Sequence, residues 1–396
     1  MPGVKDKVAI IGMGCTKFDE HWDKDVMDLI IDACYEAFAD AKVDPTKDIK
    51  AAWWSTMWNG ELGRSLAYPL KLPIIPITRI ENRCASGLDA MRNAYYAVAS
   101  GAYDIVLVCG AEKLKDIGMA SPGGDPSTPY TSRVEPVSFP VACFAQLAQR
   151  YFYKYGIPLD KGRETLSRIA VKNHHNGSLN AKAQFQKEIT MEQAMNAPMI
   201  SYPLGLFDAC GVTDGAAAAV LCRADIAKSF RDDYILIKGE GMATGHFQTK
   251  TEDYQEGYNV EENVVASRTA FKEAGITNPR KQLDLAIVHD CFTITELAII
   301  EDFGFSERGK GPEDYANGVF SLQGELPVNT DGGLKCFGHP IGASGIRMTY
   351  EVYTQLQGRA GPRQVKIKSG MGLAHSLGGT PIDGGTGAVS VFGTRD

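Results

Sequence analysis

Short runs of apolar and β-branched residues alternate along the chain with stretches in which apolar positions recur every three to four residues. The first kind predicts strands at Val8–Ile11, Ala51–Ser55, Ile75–Ile80, Ile105–Cys109 and Ala216–Cys222, then at Ile235–Lys238, Leu283–Val288, Val365–Lys368 and Ala388–Phe392. The second predicts helices between them, including Met27–Ala41, Gly87–Val98, Val264–Glu273 and Gly345–Leu356. The strand runs are continuously apolar instead of alternating. That implies sheets covered by helices on both faces and mostly parallel, hence an α/β fold.

The pattern also repeats. EAFADAKV (36–43) resembles TAFKEAGI (269–276), each ending a helix and leading into a strand. CASGLDAMRNAYYAVASGAYDIVLVCG (84–110) matches GASGIRMTYEVYTQLQGRAGPRQVKIKSG (342–370): a small-residue turn, a helix, a glycine stop and a strand. Two similar α/β halves follow, 1–228 and 233–396, with a less regular insertion over 112–208 in the first. Within it, MASPGGDPSTPYTSRVEP (119–136) reads as a surface excursion capping a site, and the polar stretch 244–259 as part of the same rim.

Composition narrows the class without naming a reaction. Of 396 residues, 44% are apolar and 22% charged, which excludes a disordered chain and leaves room for a large core. The net charge of −7 argues against nucleic acid as a partner. No run approaches the ~20 apolar residues of a membrane span, and no leader is visible before the first strand, so a cytoplasmic location is expected. The nine cysteines form no C-x-x-C pair, which fits a reducing compartment with most thiols in the core.

Four places carry candidate chemistry. Cys84, in Glu81-Asn82-Arg83-Cys84-Ala85-Ser86-Gly87, follows a strand and opens a helix; the helix N-terminus should lower its thiol pKa. His339, in GHPIGASG (338–345), lies in the matching turn of the second half, where a general base would face Cys84. His289 and Cys291 fall at a strand end in HDCF (289–292), with no further residues at metal-ligand spacing. Ser376-Leu377-Gly378-Gly379 offers backbone N–H groups suited to an oxyanion hole. Taken singly, each also reads as ordinary structure: a thiol under a tight turn, a hydrogen-bonding histidine, a strand end, a hairpin.

Together, CASG at 84–87, HDCF at 289–292, NTDGGLKCFGHPIGASG at 329–345 and the C-terminal glycine segment resemble the thiolases, over essentially the whole chain. The resemblance is to the sterol-carrier-protein-type and archaeal-type thiolases, which carry HDCF and lack the usual C-terminal Cys-x-Gly. Departures are Phe337 before Gly338, Arg83 before Cys84, and extra residues at 380–385. The resemblance implies two βαβαβαββ halves packed as a five-layer α-β-α-β-α sandwich. It implies cleavage or formation of a 3-oxoacyl-CoA by CoA-dependent Claisen chemistry, with an acyl-cysteine on Cys84. His339 becomes the base and Cys291 the second catalytic thiol. His289 and His339 hold the thioester oxygen, and the N–H groups of Cys84 and Gly378 form the other oxyanion hole. Coenzyme A is then a substrate, with no tightly bound cofactor and no metal. A homodimer is implied, through the apolar edge Ile75–Ile80, and a small zinc-ribbon/OB-fold accessory subunit that could supply the basic groups for the CoA phosphates.

The acyl chain is not legible. Acetoacetyl-CoA is one alternative, and an aromatic or branched substrate such as benzoylsuccinyl-CoA another. Phe139, Phe207, Phe247 and Phe337 lie around the expected site but serve mainly as core. A decarboxylating synthase is disfavoured by Cys291 with GHPIGASG, and a retro-aldol relative by the presence of Cys84. A non-catalytic acyl-CoA-binding scaffold is disfavoured by the joint presence of Cys84, His289, Cys291 and His339.

Overall fold

The computed structural model describes residues 3–60, 62–117, 140–245, 259–381 and 384–395. The first part of the chain runs β1 (Val8–Cys15), α1 (Val26–Ala41), β2 (Ala51–Ser55), α2 (Arg64–Leu70), β3 (Ile77–Ile80), α3 (Ser86–Ala99) and β4 (Ile105–Glu112). Next come α4 (Pro140–Lys154), α5 (Leu159–Ser178), α6 (Met191–Met195), a hairpin of β5 (Met199–Ser201) and β6 (Leu204–Gly205), β7 (Gly215–Arg223) and α7 (Ala224–Ala227). Then follow β8 (Ile235–Thr244), α8 (Glu261–Ala274), α9 (Pro279–Gln282), β9 (Leu285–Ile287), α10 (Thr293–Asp302) and α11 (Gly311–Ala316). The chain closes with α12 (Gly333–Phe337), α13 (Ile341–Leu356), β10 (Met371–Thr380) and β11 (Gly384–Gly393).

Helix α1 shows how directly local chemistry sets these elements. Asp25 caps it, accepting from the N–H groups of Met27 (2.7 Å) and Asp28 (3.0 Å), while the Asp28 carboxylate returns to the Asp25 N–H (3.1 Å). Leu29, Ile30, Ala33, Cys34, Ala37 and Phe38 form the buried stripe. Gly12 and Gly14 let β1 come so close that a Cβ would stand 2.5 Å from Ala37 O or 2.1 Å from Ala33 O. The same device recurs where β8 meets α8: a Cβ on Gly239 or Gly241 would strike Ala270 O or Ala266 O.

Among the described residues the main sheet has the order β3-β2-β4-β7-β1-β8-β11-β10-β9. Helix α1 covers β1 and β7 on one outer face, and α8 covers β8 and β11 on the other. Helices α3 and α13 pack on each other in the middle, with strands of both ends of the sheet around them. The layers therefore alternate helix, strand, helix, strand, helix, as the thiolase resemblance implies. Among the described residues the two strand layers join where Ala9 pairs Leu236 and Ile10 pairs Ile235.

Several expectations are corrected. The sheet is mixed: β2–β3, β2–β4 and β9–β10 are parallel and the other neighbours antiparallel. Helices cover both faces whatever the strand direction, so apolar runs could not reveal it. Val365–Lys368 is not a strand. Its apolar side chains pack inward, but the Val365 N–H bonds the Gln355 side chain (2.9 Å) and the strand lies later, at Met371–Thr380. Much of the 112–208 insertion is helical, because α4 and α5 each bury a full apolar stripe. Segment 119–136, most of 244–259, Phe139 and Phe247 lie outside the described residues.

Candidate active site

Cys84 stands in the turn between β3 and α3. Arg83, just before it, takes a left-handed backbone (φ +50°), a conformation costly for a side-chain-bearing residue and held here by its neighbours. The Ser86 hydroxyl donates to Arg83 O (2.5 Å) and accepts from the Asn82 N–H (2.7 Å), while the Arg83 N–H reaches Glu81 Oε1 (2.6 Å). The Asn82 amide donates to Asp89 (2.6 Å) on the first turn of α3. The result is a rigid turn that leaves Cys84 partly exposed.

His339 reaches this turn from α12 and α13, 255 residues further along, and its Nε2 lies 3.1 Å from Cys84 Sγ. Its Nδ1 lies 2.7 Å from the Ser344 hydroxyl, which itself donates to Pro340 O (2.9 Å). With that hydroxyl proton committed, Ser344 must accept from Nδ1–H, so Nε2 keeps its lone pair toward the thiol. Burial and the nearby Arg347 guanidinium push the His339 pKa down to about 3. Burial also pushes Cys84 up to about 12, only partly offset by Arg83. The expected lowering by the helix N-terminus is thus overturned by desolvation. At rest the pair is neutral thiol and neutral imidazole, and the proton moves when a substrate is attacked.

His289 lies edge-on to His339, with ring centroids 5.4 Å apart, and its Nδ1 is buried without a partner. Burial and the neighbouring His339 and His375 keep it well below the ordinary histidine range. Behind it, His375 Nδ1 faces the His289 N–H (3.4 Å) and His375 Nε2 faces Asn263 Oδ1 (2.9 Å). The donor atoms of Cys84, His289 and His339 all fall within 4.8 Å of one another, a spacing that would also suit one soft divalent ion. The sequence spacing gave no sign of that trio.

Cys291 is buried, 3.9 Å from the Thr295 hydroxyl, and is pushed well above the ordinary thiol range by burial and by the neighbouring Cys210 and Cys84 thiols. Gly378, on β10, packs against the nucleophile turn so closely that a Cβ would stand 2.2 Å from Asn82 O. Ser376 instead turns its hydroxyl toward Met348 Sδ (3.4 Å). Phe337 is core: it packs edge-on to Phe18 (4.9 Å) beneath the Arg347 guanidinium (4.7 Å).

Other residues escaped sequence reasoning. Asp290, the second letter of HDCF, caps α12 by accepting from the Leu334 N–H (2.6 Å), which fixes the segment leading to His339. Glu112 closes β4 and accepts from the N–H groups of Met57, Trp58 (3.3 Å) and Gly342, tying the start of α13 to the β2 end; burial pushes it up to about 7. Cys210 donates its N–H to Cys291 O (2.9 Å), bringing a third thiol to the site. Only pattern periods of far longer range than a motif could have joined these positions.

The family model described as "Thiolase, N-terminal domain" matches residues 8–225, and "Thiolase C-terminal domain-like" matches 243–393. An acetyl-CoA acetyltransferase of Methanothermobacter thermautotrophicus is 39% identical over 97% of this chain and 99% of its own. That of Methanocaldococcus jannaschii is 37% identical over 98% and 99%. A benzoylsuccinyl-CoA thiolase subunit of Thauera aromatica is 30% identical over 94% and 95%. Among solved structures, the Ltp2-ChsH2(DUF35) aldolase superposes with a TM-score of 0.84 at 23% identity, covering 99% of both chains. Two family models and full-length relatives therefore agree with the layered fold: the chain belongs to the thiolase family, as an acyltransferase of the thiolase type.

Proposed function

We propose that the protein cleaves, or forms, a 3-oxoacyl-CoA through an acyl-enzyme on Cys84. The reading is carried by His339 Nε2 at 3.1 Å from Cys84 Sγ, with the tautomer fixed by Ser344. As the thiolate attacks the 3-keto carbon, His339 takes the Cys84 proton. The N–H groups of Cys84 and Gly378 receive the oxyanion, a role in which one lost donor typically costs ~3–4 kcal/mol of barrier. The Cα–Cβ bond then breaks. The thioester oxygen of the departing enolate is held by His289 and His339, and Cys291, kept protonated by its raised pKa, protonates the carbanion. Coenzyme A attacks the acyl-cysteine, its thiol proton passing to the Cys291 thiolate, and the protonated His339 returns its proton to Cys84, which leaves as the thiol.

The acetyl-CoA acetyltransferase relatives support a short acyl group, and the Thauera relative supports an aromatic or branched one. We read the working form as a homodimer built on the β3 edge, from the two halves 1–228 and 233–396, with a small accessory subunit joining it. Intact-mass spectrometry after substrate addition tests the chemistry. Cys84→Ala should carry no acyl adduct and show no turnover, whereas Cys291→Ala should accumulate the adduct. Turnover by pure Cys84→Ala overturns the reading.

A further inference from the structure

Lys335 takes no part in this chemistry, yet it is placed where a cation is expensive. It lies on α12 four residues before His339 and is 2% exposed. Among the described residues its ammonium makes no ion pair and no hydrogen bond within contact distance; the Asp208 carboxylate acts on it only from farther off. Buried Lys113 pairs with Asp214 (2.8 Å) and buried Arg347 with Asp331, and the half-buried Lys172 and Arg363 pair with Glu296 (2.8 Å) and Glu351 (2.9 Å). A lone buried ammonium is costly unless something of opposite charge completes it.

Its surroundings show which side it faces. Lys335 Nζ stands 5.8 Å from the centre of the Phe207 ring. Asp208, the next residue, has its carboxylate committed to the Thr293 hydroxyl (2.6 Å) and the Gly205 N–H (2.7 Å). Two residues on, Cys210 bonds Cys291 O (2.9 Å). His174 meets Phe207 edge-on at 5.5 Å and donates Nδ1–H to Lys187 O (2.8 Å), so its Nε2 offers only a lone pair. The ammonium is therefore surrounded by an aromatic ring, a neutral imidazole and, out of contact distance, a carboxylate already committed elsewhere, on the side of the site where the Cys84, Cys210 and Cys291 thiols meet.

We propose that Lys335 anchors an anionic group on the acyl half of the substrate, so that the preferred substrate is a 3-oxoacyl-CoA whose acyl chain bears a carboxylate. This rests on the thiolase reading and deepens it. The phosphates of coenzyme A lie at the far end of the pantetheine arm from the thioester. A buried cation beside the Cys210 and Cys84 thiols is at the wrong end to meet them. A carboxylate entering beside Phe207 would supply the missing counter-charge in a dry pocket, where a charge-assisted hydrogen bond is strongest.

The test compares kcat/KM for 3-oxoadipyl-CoA and 3-oxohexanoyl-CoA, which share a six-carbon chain with and without a terminal carboxylate. Wild type should favour the carboxylate by roughly thirtyfold, the scale of one hydrogen bond to a charged group. In K335M that ratio should collapse to below about threefold, mostly through KM, and K335R should retain part of it. Without substrate, K335M should melt higher than wild type, since an apolar side chain of similar size replaces an unpaired charge. Equal use of both substrates by wild type, or an unchanged ratio in K335M, overturns the proposal and leaves the thiolase reading intact. A K335M enzyme that loses both substrates equally assigns Lys335 to the reaction and also overturns it. If wild type cleaves acetoacetyl-CoA but neither of these substrates, the proposal fails and the thiolase reading stands; if no 3-oxoacyl-CoA is cleaved, both fail.

Discussion

At the scale of the residue, activity depends on one proton path. The Ser344 hydroxyl has no contact with substrate in the proposed chemistry, but it decides which imidazole nitrogen faces Cys84. Ser344→Ala should therefore lower kcat by about tenfold to a hundredfold, below the ~10²–10⁴ of a whole general base because His339 itself remains, with little change in KM. Ser376→Ala should be mild, within about tenfold, because that hydroxyl packs on Met348 away from the reacting atoms. The pH dependence follows from His339. Its pKa of about 3 leaves it unprotonated, and able to accept a proton, throughout the physiological range. The kcat/KM profile should show no acid limb near the ordinary histidine value of about 6.5. An inflection there, measured with a substrate that does not titrate, would contradict the assignment.

At the scale of the element, the site depends on close backbone packing. Helices α3 and α13 carry the nucleophile turn and the base turn, and a Cβ on Gly345 would stand 2.5 Å from the Leu88 N. Gly345→Ala should push the helices apart and cost about 1–3 kcal/mol of stability together with a fall in kcat, read by thermal melting and steady-state assay. Glu112 adds a pH-linked constraint. Its pKa is raised from 4.5 to about 7 by burial, so the stability it carries is full below about pH 4.5 and lost as pH rises through 7. A displacement of that size corresponds to about 3 kcal/mol. Glu112→Gln should melt with a shallower decline between about pH 4.5 and 7 than wild type. These constraints also explain what could be read from sequence. α1, α3 and α8 were legible because each repeats an apolar stripe bounded by a cap or a glycine. β10 was not: Gly372, Gly378 and Gly379 interrupt its pattern, and its glycines answer to neighbours from other parts of the chain. α4 and α5 were hidden by their company, since a polar, proline-rich stretch precedes them. The four catalytic candidates were legible as motifs, whereas Ser344, Asp290, Glu112 and Lys335 act through contacts that no motif spacing records.

At the scale of the whole molecule, β3 ends the sheet with one side paired to β2 and the other open. Its Thr78 is exposed. Among the described residues this edge has no second strand, and an edge left so invites a partner strand. Wild type should run as a dimer in native mass spectrometry at micromolar concentration, and Thr78→Asp, which sets like charges opposite each other across a two-fold axis, should shift it toward monomer. A monomeric wild type would contradict this. The alternation of layers was legible because the chain repeats its own pattern, but the ladder that joins them through two residue pairs was not, since so short a pairing leaves no periodicity. The separation of 255 positions between Cys84 and His339 has a further consequence. No contiguous fragment short of most of the chain contains both partners, so a nascent chain emerging from the ribosome holds its thiol without its base. Enzymatic competence is thereby a reporter of completed folding: in a refolding experiment activity should return with the slowest phase, after the helical signal has recovered.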